Sequence, residues 1–153
     1  MTSQVKLGLV DVWEKHGEGL DFLIKADDDT FVIMDNLMAR LQRRDPEVPF
    51  MMGHKMTNEV DLNIFSVNIE ELDIYFPQGF TFLSGGPGYV MSRAAVRRLV
   101  MEGLSPGGSH LCRDKVKRLN GGEDLEMGSC ALRLGIALTS SEMEGRTTFL
   151  PFK

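Results

Sequence analysis

Three consecutive carboxylates, Asp27, Asp28 and Asp29, stand close behind the apolar run Phe22-Leu23-Ile24. Adjacent acids resist joint ionisation unless a cation or hydrogen-bond donors compensate. Carboxylate oxygens are the hard ligands that Mg²⁺ and Mn²⁺ take, usually one or two from the protein with phosphates and waters completing the octahedron. The triplet therefore points to a divalent cation at a strand end, beside an anionic ligand. A cation bridging diphosphate oxygens would act as a Lewis acid on a departing nucleotide. The plain alternative is a solvated acidic turn in which Asp29 caps the next turn, and three acids also suit phosphatases and nucleases.

Two further segments could carry chemistry. Ser84-Gly85-Gly86-Pro87-Gly88-Tyr89 holds glycines that let backbone approach a ligand closely. It lacks the Lys-Ser/Thr ending of a P-loop and the spacing of a dinucleotide fingerprint, so by itself it reads as a tight turn. Glu123-Asp124 follows Gly121-Gly122 and opens a helical pattern. Acids in a first helical turn ordinarily serve the macrodipole and the free N–H groups. The functional alternative is a general base. A helix N-terminus lowers an acid's pKa, which suits proton removal late in a displacement, when the attacking hydroxyl is already acidified.

These groups need a scaffold. Val5, Leu9, Val12, Trp13 and His16 recur at helical spacing, with Gly17 as the C-cap. The run before the triplet reads as a buried strand over 22–26, because parallel strands covered on both faces lose alternation. Thr30 to Ile33 is a second short strand, and Asp35 is expected to cap a helix through Leu37, Leu41 and Arg44. Residues 51–76 give a weak signal; Val67, Ile69, Leu72, Ile74 and Tyr75 suggest a strand or an irregular excursion. Phe80 to Leu83 reads as a strand that Tyr89-Val90-Met91 resumes after the glycines. Ser92 caps a helix carrying Val96, Leu99 and Val100, stopped by Gly103. Residues 103–122 read as a long loop. A last helix carries Met127, Cys130, Ala131 and Leu134 on one face and ends at Gly135, before a closing strand, Ile136-Ala137-Leu138. The alternation of helices and strands predicts an α/β domain, and ligands of an open α/β sheet bind at the C-terminal ends of its strands.

The 153 residues suffice for one domain with a real core. A net charge of −5 leaves no basic field to recruit nucleic acid or an anionic membrane. No apolar stretch is long enough to span a bilayer, the start lacks signal-peptide character, and no N-x-Ser/Thr sequon occurs. Taken as complete, the chain would read as soluble and intracellular. Two cysteines, Cys112 and Cys130, allow one disulfide; composition alone favours two buried thiols in a reducing compartment.

Three segments, in their order, resemble glycosyltransferase family 31, and within it the core 1 β1,3-galactosyltransferases. They are Lys25-Ala26-Asp27-Asp28-Asp29-Thr30-Phe31-Val32-Ile33, Ser84-Gly85-Gly86-Pro87-Gly88-Tyr89-Val90-Met91-Ser92 and Glu123-Asp124-Leu125-Glu126-Met127-Gly128-Ser129-Cys130. The likeness runs over most of residues 5–152, loosely in 51–76 and 103–122. It implies a GT-A fold, a Rossmann-like nucleotide-diphospho-sugar transferase, of which residues 1–153 would be the C-terminal part of the catalytic domain. The implied reaction is inverting, metal-dependent transfer of galactose from UDP-galactose to O-linked N-acetylgalactosamine on glycoproteins.

Carried over by motif, Asp29 would ligate Mn²⁺ with Asp27, while Asp27 and Asp28 face the nucleotide-sugar. Gly85, Gly86, Gly88 and Tyr89 would line the donor site. Asp124 would be the base, with Glu123 its neighbour. Cys112 and Cys130 resemble a family pair flanking the Glu-Asp motif, which implies a disulfide and a Golgi lumen. A membrane anchor lying outside this chain, and a homodimer, are also in keeping with the family. Departures are visible. The family branch has Phe-His-Pro-Phe near its end, whose His completes the metal site, where this chain has Phe149-Leu150-Pro151-Phe152. The loop between the two cysteines looks longer than in close relatives, and by the resemblance the N-terminal half that builds most of the nucleotide pocket is expected to lie outside this chain, which reads as a fragment. The rival readings are a fringe-like β1,3-N-acetylglucosaminyltransferase, a catalytically impaired lectin-like or chaperone-like relative, and an acidic module whose triplet is merely solvated.

Overall fold

The structure is a computed structural model that describes residues 3–57, 79–105, 112, 122–142 and 148–151. Its centre is a pair of strands buried along their whole length, β3 (Phe50–Gly53) and β6 (Tyr89–Ser92). Among the described residues they form the inner strands of a mixed sheet, flanked by β1 (Phe22–Lys25) and β7 (Ala137–Ser140), in the order β1-β6-β3-β7. Strand β6 runs antiparallel to both β1 and β3, and β7 runs parallel to β3.

Both faces of this sheet are covered, which explains the unalternating apolar runs. On one face Met51, Tyr89 and Met91 meet Leu9 of α1 (Ser3–His16), the helix α3 (Arg93–Arg98) and α4 (Glu123–Arg133) through Ala95, Met127 and Cys130. On the other, Phe50, Met52 and Val90 pack with Leu37 and Leu41 of α2 (Met34–Leu41) and with Phe149 of β8 (Phe149–Pro151). Even the four-residue β1 divides this way. Leu23 packs against the first cluster, and Phe22 and Ile24 against the second. Each fully buried side chain of this size contributes roughly 1.5–3 kcal/mol of transfer free energy.

Several sequence expectations change here. Strand β1 is covered on both faces, but its pairing is antiparallel and each residue is only half-buried, because β6 is its sole partner among the described residues. The segments on either side of the glycines do not continue one another. Strand β5 (Thr81–Leu83) pairs with β4 (Lys55–Thr57) in a separate ribbon, whereas β6 enters the main sheet. The cause is the turn closed by the Gly88 N–H to Gly85 O bond (3.0 Å), with Gly88 at φ +85°.

Asp35 does not cap α2. It lies in the first turn; the chain enters the helix at Ile33, whose N–H donates to Thr148 O (3.0 Å) as β2 (Thr30–Val32) pairs with β8. Arg44 lies beyond the helix and rests over the Phe50 ring, 5.1 Å from its centroid. The buried face of α1 uses Val5, Leu9, Val10 and Trp13, with His16 exposed. Gly17 ends α1 without a left-handed turn. It sits against Trp13, where an added Cβ would come within 2.7 Å of the indole. The strand expected to close the chain, β7, is followed by β8.

Other expectations hold. Ser92 Oγ accepts from Ala95 N–H (3.2 Å) as a helix cap, and also from Phe50 N–H (3.1 Å), tying α3 to β3. After α3 the turn Leu99–Leu104 widens, with Ser105 N–H bonding back to Val100 O (3.0 Å). Helix α4 begins at Glu123 and its chain turns at Gly135, φ +64°. The expected excursion at 67–75 and most of the 103–122 loop lie outside the described residues.

Cys112 and Cys130 form a disulfide, so the composition-based reading of two free thiols is overturned. Composition counts thiols but cannot place residues 18 apart in contact. Reducing this bridge is expected to lower the unfolding free energy by about 3 kcal/mol, by releasing the loop in the unfolded chain. Urea titrations with and without reductant measure the difference.

Candidate active site

The C-terminal ends of β1, β3 and β7 meet the start of β6 at one edge of the sheet. Lys25 pairs with Tyr89, Tyr89 with Gly53, and Gly53 with Ser140. Three chain segments distant in sequence converge there: the acidic turn after β1, the glycine turn before β6, and the first turn of α4.

Lys25 is the junction. It ends a strand that is otherwise apolar, and its side chain is only 18% exposed. The ammonium lies 2.7 Å from Asp27 Oδ1, 3.2 Å from Gly85 O and 3.6 Å from Glu123 Oε2. It also lies 5.7 Å from the centroid of the Tyr89 ring, within cation–π range. Burial pulls the Lys25 pKa down. The hydrogen bond to Asp27 and the charges of Glu123 and Asp27 outweigh it and hold the group above its ordinary value.

Glu123 is nearly buried and is held from two sides, because Tyr89 Oη donates to its Oε1 (2.9 Å). The phenol of Tyr89 is fully buried. Burial first, then the charge of Glu123, pushes its ionisation well above the usual range, so it remains a neutral donor. Asp124 receives an N–H on each oxygen, from Gly85 at Oδ2 (3.3 Å) and from Leu125 at Oδ1 (2.9 Å). Gly85 fits because an added Cβ would stand 3.3 Å from Glu123 Oε2 and 3.4 Å from Lys25 Nζ.

The triplet itself is an exposed turn. Thr30 N–H donates to Asp27 O (3.1 Å), and Thr30 Oγ1 accepts from Asp27 N–H (3.1 Å) while donating to Gly86 O (2.7 Å). Asp27 is thus answered by Lys25, while Asp28 and Asp29 face solvent. Among the described residues no group of three metal-ligating side chains is gathered. The donor chemistry fits a hard divalent cation to the extent of one or two carboxylates, the protein share expected where phosphates and waters supply the rest. Leu150 lies across β2–β8 from Phe31, two residues beyond Asp29, so its backbone position is adjacent to the triplet.

The fold brings Asp27, Gly85, Tyr89, Glu123 and Asp124 into one network. Gly86 joins it through its carbonyl, and Gly88 shapes the turn with its N–H. The sequence motif assigns no role to Lys25 or Thr30; a lone lysine closing an apolar strand is the sequence signal for the first.

A family model described as Galactosyltransferase matches residues 7–142. The chain is 36% identical over 133 residues to glycoprotein-N-acetylgalactosamine 3-beta-galactosyltransferase 1 of Xenopus laevis, covering 86% of this chain and 30% of that protein. It is 29% identical over 144 residues to a mouse acetylgalactosaminyl-O-glycosyl-glycoprotein beta-1,3-N-acetylglucosaminyltransferase, covering 89% of this chain and 32% of the relative. A third relative, human chondroitin sulfate synthase 3, is 28% identical over 116 residues, which are 75% of this chain and 11% of that protein. The chain therefore spans no more than about a third of the length of these relatives. The matched span takes in the whole network from Lys25 to Asp124, and the chain belongs to the Galactosyltransferase family.

Proposed function

We propose that the protein is a β1,3-hexosyltransferase of glycoproteins. In this reading it moves galactose from UDP-galactose to O-linked N-acetylgalactosamine with inversion, and residues 1–153 form the C-terminal part of a GT-A catalytic domain. The observation that carries the reading is the Lys25 junction, which joins the acidic turn, the glycine turn and the Glu123-Asp124 helix start at one sheet edge. The likeness to a relative named for 3-beta-galactosyltransfer to glycoprotein N-acetylgalactosamine supports the donor and acceptor.

In this reading the acceptor hydroxyl oxygen attacks the anomeric carbon, the bond from that carbon to the diphosphate breaks, and Asp124 takes the hydroxyl proton. The N–H groups of Gly85 and Leu125 orient the Asp124 carboxylate for that proton transfer. Glu123, fixed by Tyr89 and Lys25, holds the helix start in place beside it. Gly85, Gly86, Gly88 and Tyr89 shape the floor under the donor. Asp29 and Asp27, with Asp28 alongside, would hold Mn²⁺, which would supply positive charge against the diphosphate. A Golgi lumen suits the Cys112–Cys130 bridge, and an anchor outside this chain and a homodimer belong to the same proposal.

Titration with UDP in the presence and absence of Mn²⁺ tests the reading. Wild-type protein is expected to bind UDP only with the metal, and Asp29→Ala to weaken that binding by about 10- to 100-fold. Metal-independent binding, or none, would overturn an active transferase. A second reading, an N-acetylglucosaminyl donor, draws on the relatives named as β1,3-N-acetylglucosaminyltransferases. Competition between UDP-galactose and UDP-N-acetylglucosamine for the Mn²⁺-loaded protein separates the two.

A further inference from the structure

We infer that Lys25 is a positioning residue: its ammonium locks the acidic turn, the glycine turn and the start of α4 into one unit and thereby sets the place of Asp124. Its link to transfer rests on the function proposed above; its structural part does not. Three facts carry it. First, the partners of Lys25 Nζ come from three separate segments: it donates to Asp27 at 2.7 Å and to Gly85 O at 3.2 Å, and it forms an ion pair with Glu123 Oε2 at 3.6 Å. Second, the contact is largely withdrawn from solvent, with side-chain exposures of 18% for Lys25 and 12% for Glu123, so water screens that pair weakly. Third, Gly85 is gripped at both ends of its backbone. Its carbonyl accepts from Lys25, and its N–H donates to Asp124 Oδ2 at 3.3 Å.

The consequence is a relay of position. Without the ammonium, Glu123 keeps only the Tyr89 hydroxyl on its side-chain oxygens among the partners described above, and two carboxylates, Asp27 and Glu123, face each other without their shared cation. Repulsion then opens the gap between the acidic turn and α4. The Gly85 carbonyl loses its restraint, and the N–H that orients Asp124 moves with it. Lys25 acts through these neighbours and needs no contact with either substrate.

Tyr89 reports on this unit directly, since its hydroxyl donates to Glu123. The chain contains two tyrosines, Tyr75 and Tyr89, so ¹³Cζ-tyrosine NMR gives two signals, assigned with Tyr89→Phe. Lys25→Met keeps the aliphatic stem and removes the charge. It is expected to shift the Tyr89 signal, and in the whole protein to lower kcat by about 10- to 100-fold with the acceptor KM little changed. Lys25→Cys, then alkylated with 2-bromoethylamine, restores an ammonium at nearly the native length and should return the Tyr89 signal to its wild-type position. The other two cysteines of the chain are bonded to each other, so the reagent meets one thiol. A Tyr89 signal unmoved by Lys25→Met would overturn the inference. So would a shifted signal that alkylation fails to restore in a protein with the wild-type melting temperature. If wild-type protein shows no transfer at all, the transferase reading fails, while the Tyr89 shift and its recovery still decide the role of Lys25.

Discussion

Asp124→Asn, made in the whole protein, is expected to lower transfer by about 10²- to 10⁴-fold, the usual worth of a positioned general base, while Mn²⁺-dependent UDP binding survives. The substitution keeps the shape of the side chain and removes its ability to accept a proton. It is not wholly silent structurally, because both Asp124 oxygens take an N–H, from Gly85 and from Leu125. An amide offers only one oxygen, so one of those donors loses its acceptor at a cost of about 1–3 kcal/mol. That cost would appear in the melting temperature, and the loss of turnover is expected to exceed it in every assay at saturating substrate. Retained turnover would remove Asp124 from the base role. Glu123 would then be a poor substitute candidate, since Tyr89 and Lys25 already occupy its oxygens.

The second large effect is on stability. At Gly88, φ is +85° and a Cβ would stand 2.8 Å from Lys25 O, 3.4 Å from Ala26 Cα and 3.5 Å from Thr30 Cγ2. An L-residue in the left-handed region costs about 1–2 kcal/mol, and a β-branched one is a true outlier there. The nearest obstacle is backbone at the end of β1, which cannot swing aside, so overpacking adds about 1–3 kcal/mol. Gly88→Val should therefore destabilise the fold by about 2–5 kcal/mol, a large share of the stability of an ordinary domain. It should also push the acidic turn away from the glycine turn. The control is Gly86→Ala, where an added Cβ meets nothing within 4 Å; its effect is expected to stay within about 0.5 kcal/mol. Urea midpoints for the pair make the comparison. Equal midpoints would show that the turn tolerates a side chain at 88.

Local features were readable from the chain because their causes are local. Ser92 caps α3 as its residue type and position suggest, and Glu123 opens α4 where the glycines before it end. The run Phe22-Leu23-Ile24 signalled coverage on both faces, and its side chains do divide between the two clusters. Where local preference is weak, the chain alone does not reveal the element. Phe50-Met51-Met52-Gly53 has no β-branched residue and no alternation, yet it is an inner strand of the sheet, buried throughout.

The direction and identity of strand partners were decided only in three dimensions. Burial on two faces does not tell a strand whether its neighbour runs parallel, since the backbone groups that pair are the same in either case. So β1 joined β6 antiparallel, and β5 and β6, close in sequence, went to different sheets. The same holds for the candidate site. The chain supplied three motifs and two cysteines. That one half-buried ammonium at Lys25 joins Asp27, Gly85 and Glu123, and that Cys112 reaches Cys130, depends on contacts between residues far apart in sequence, where no local preference acts.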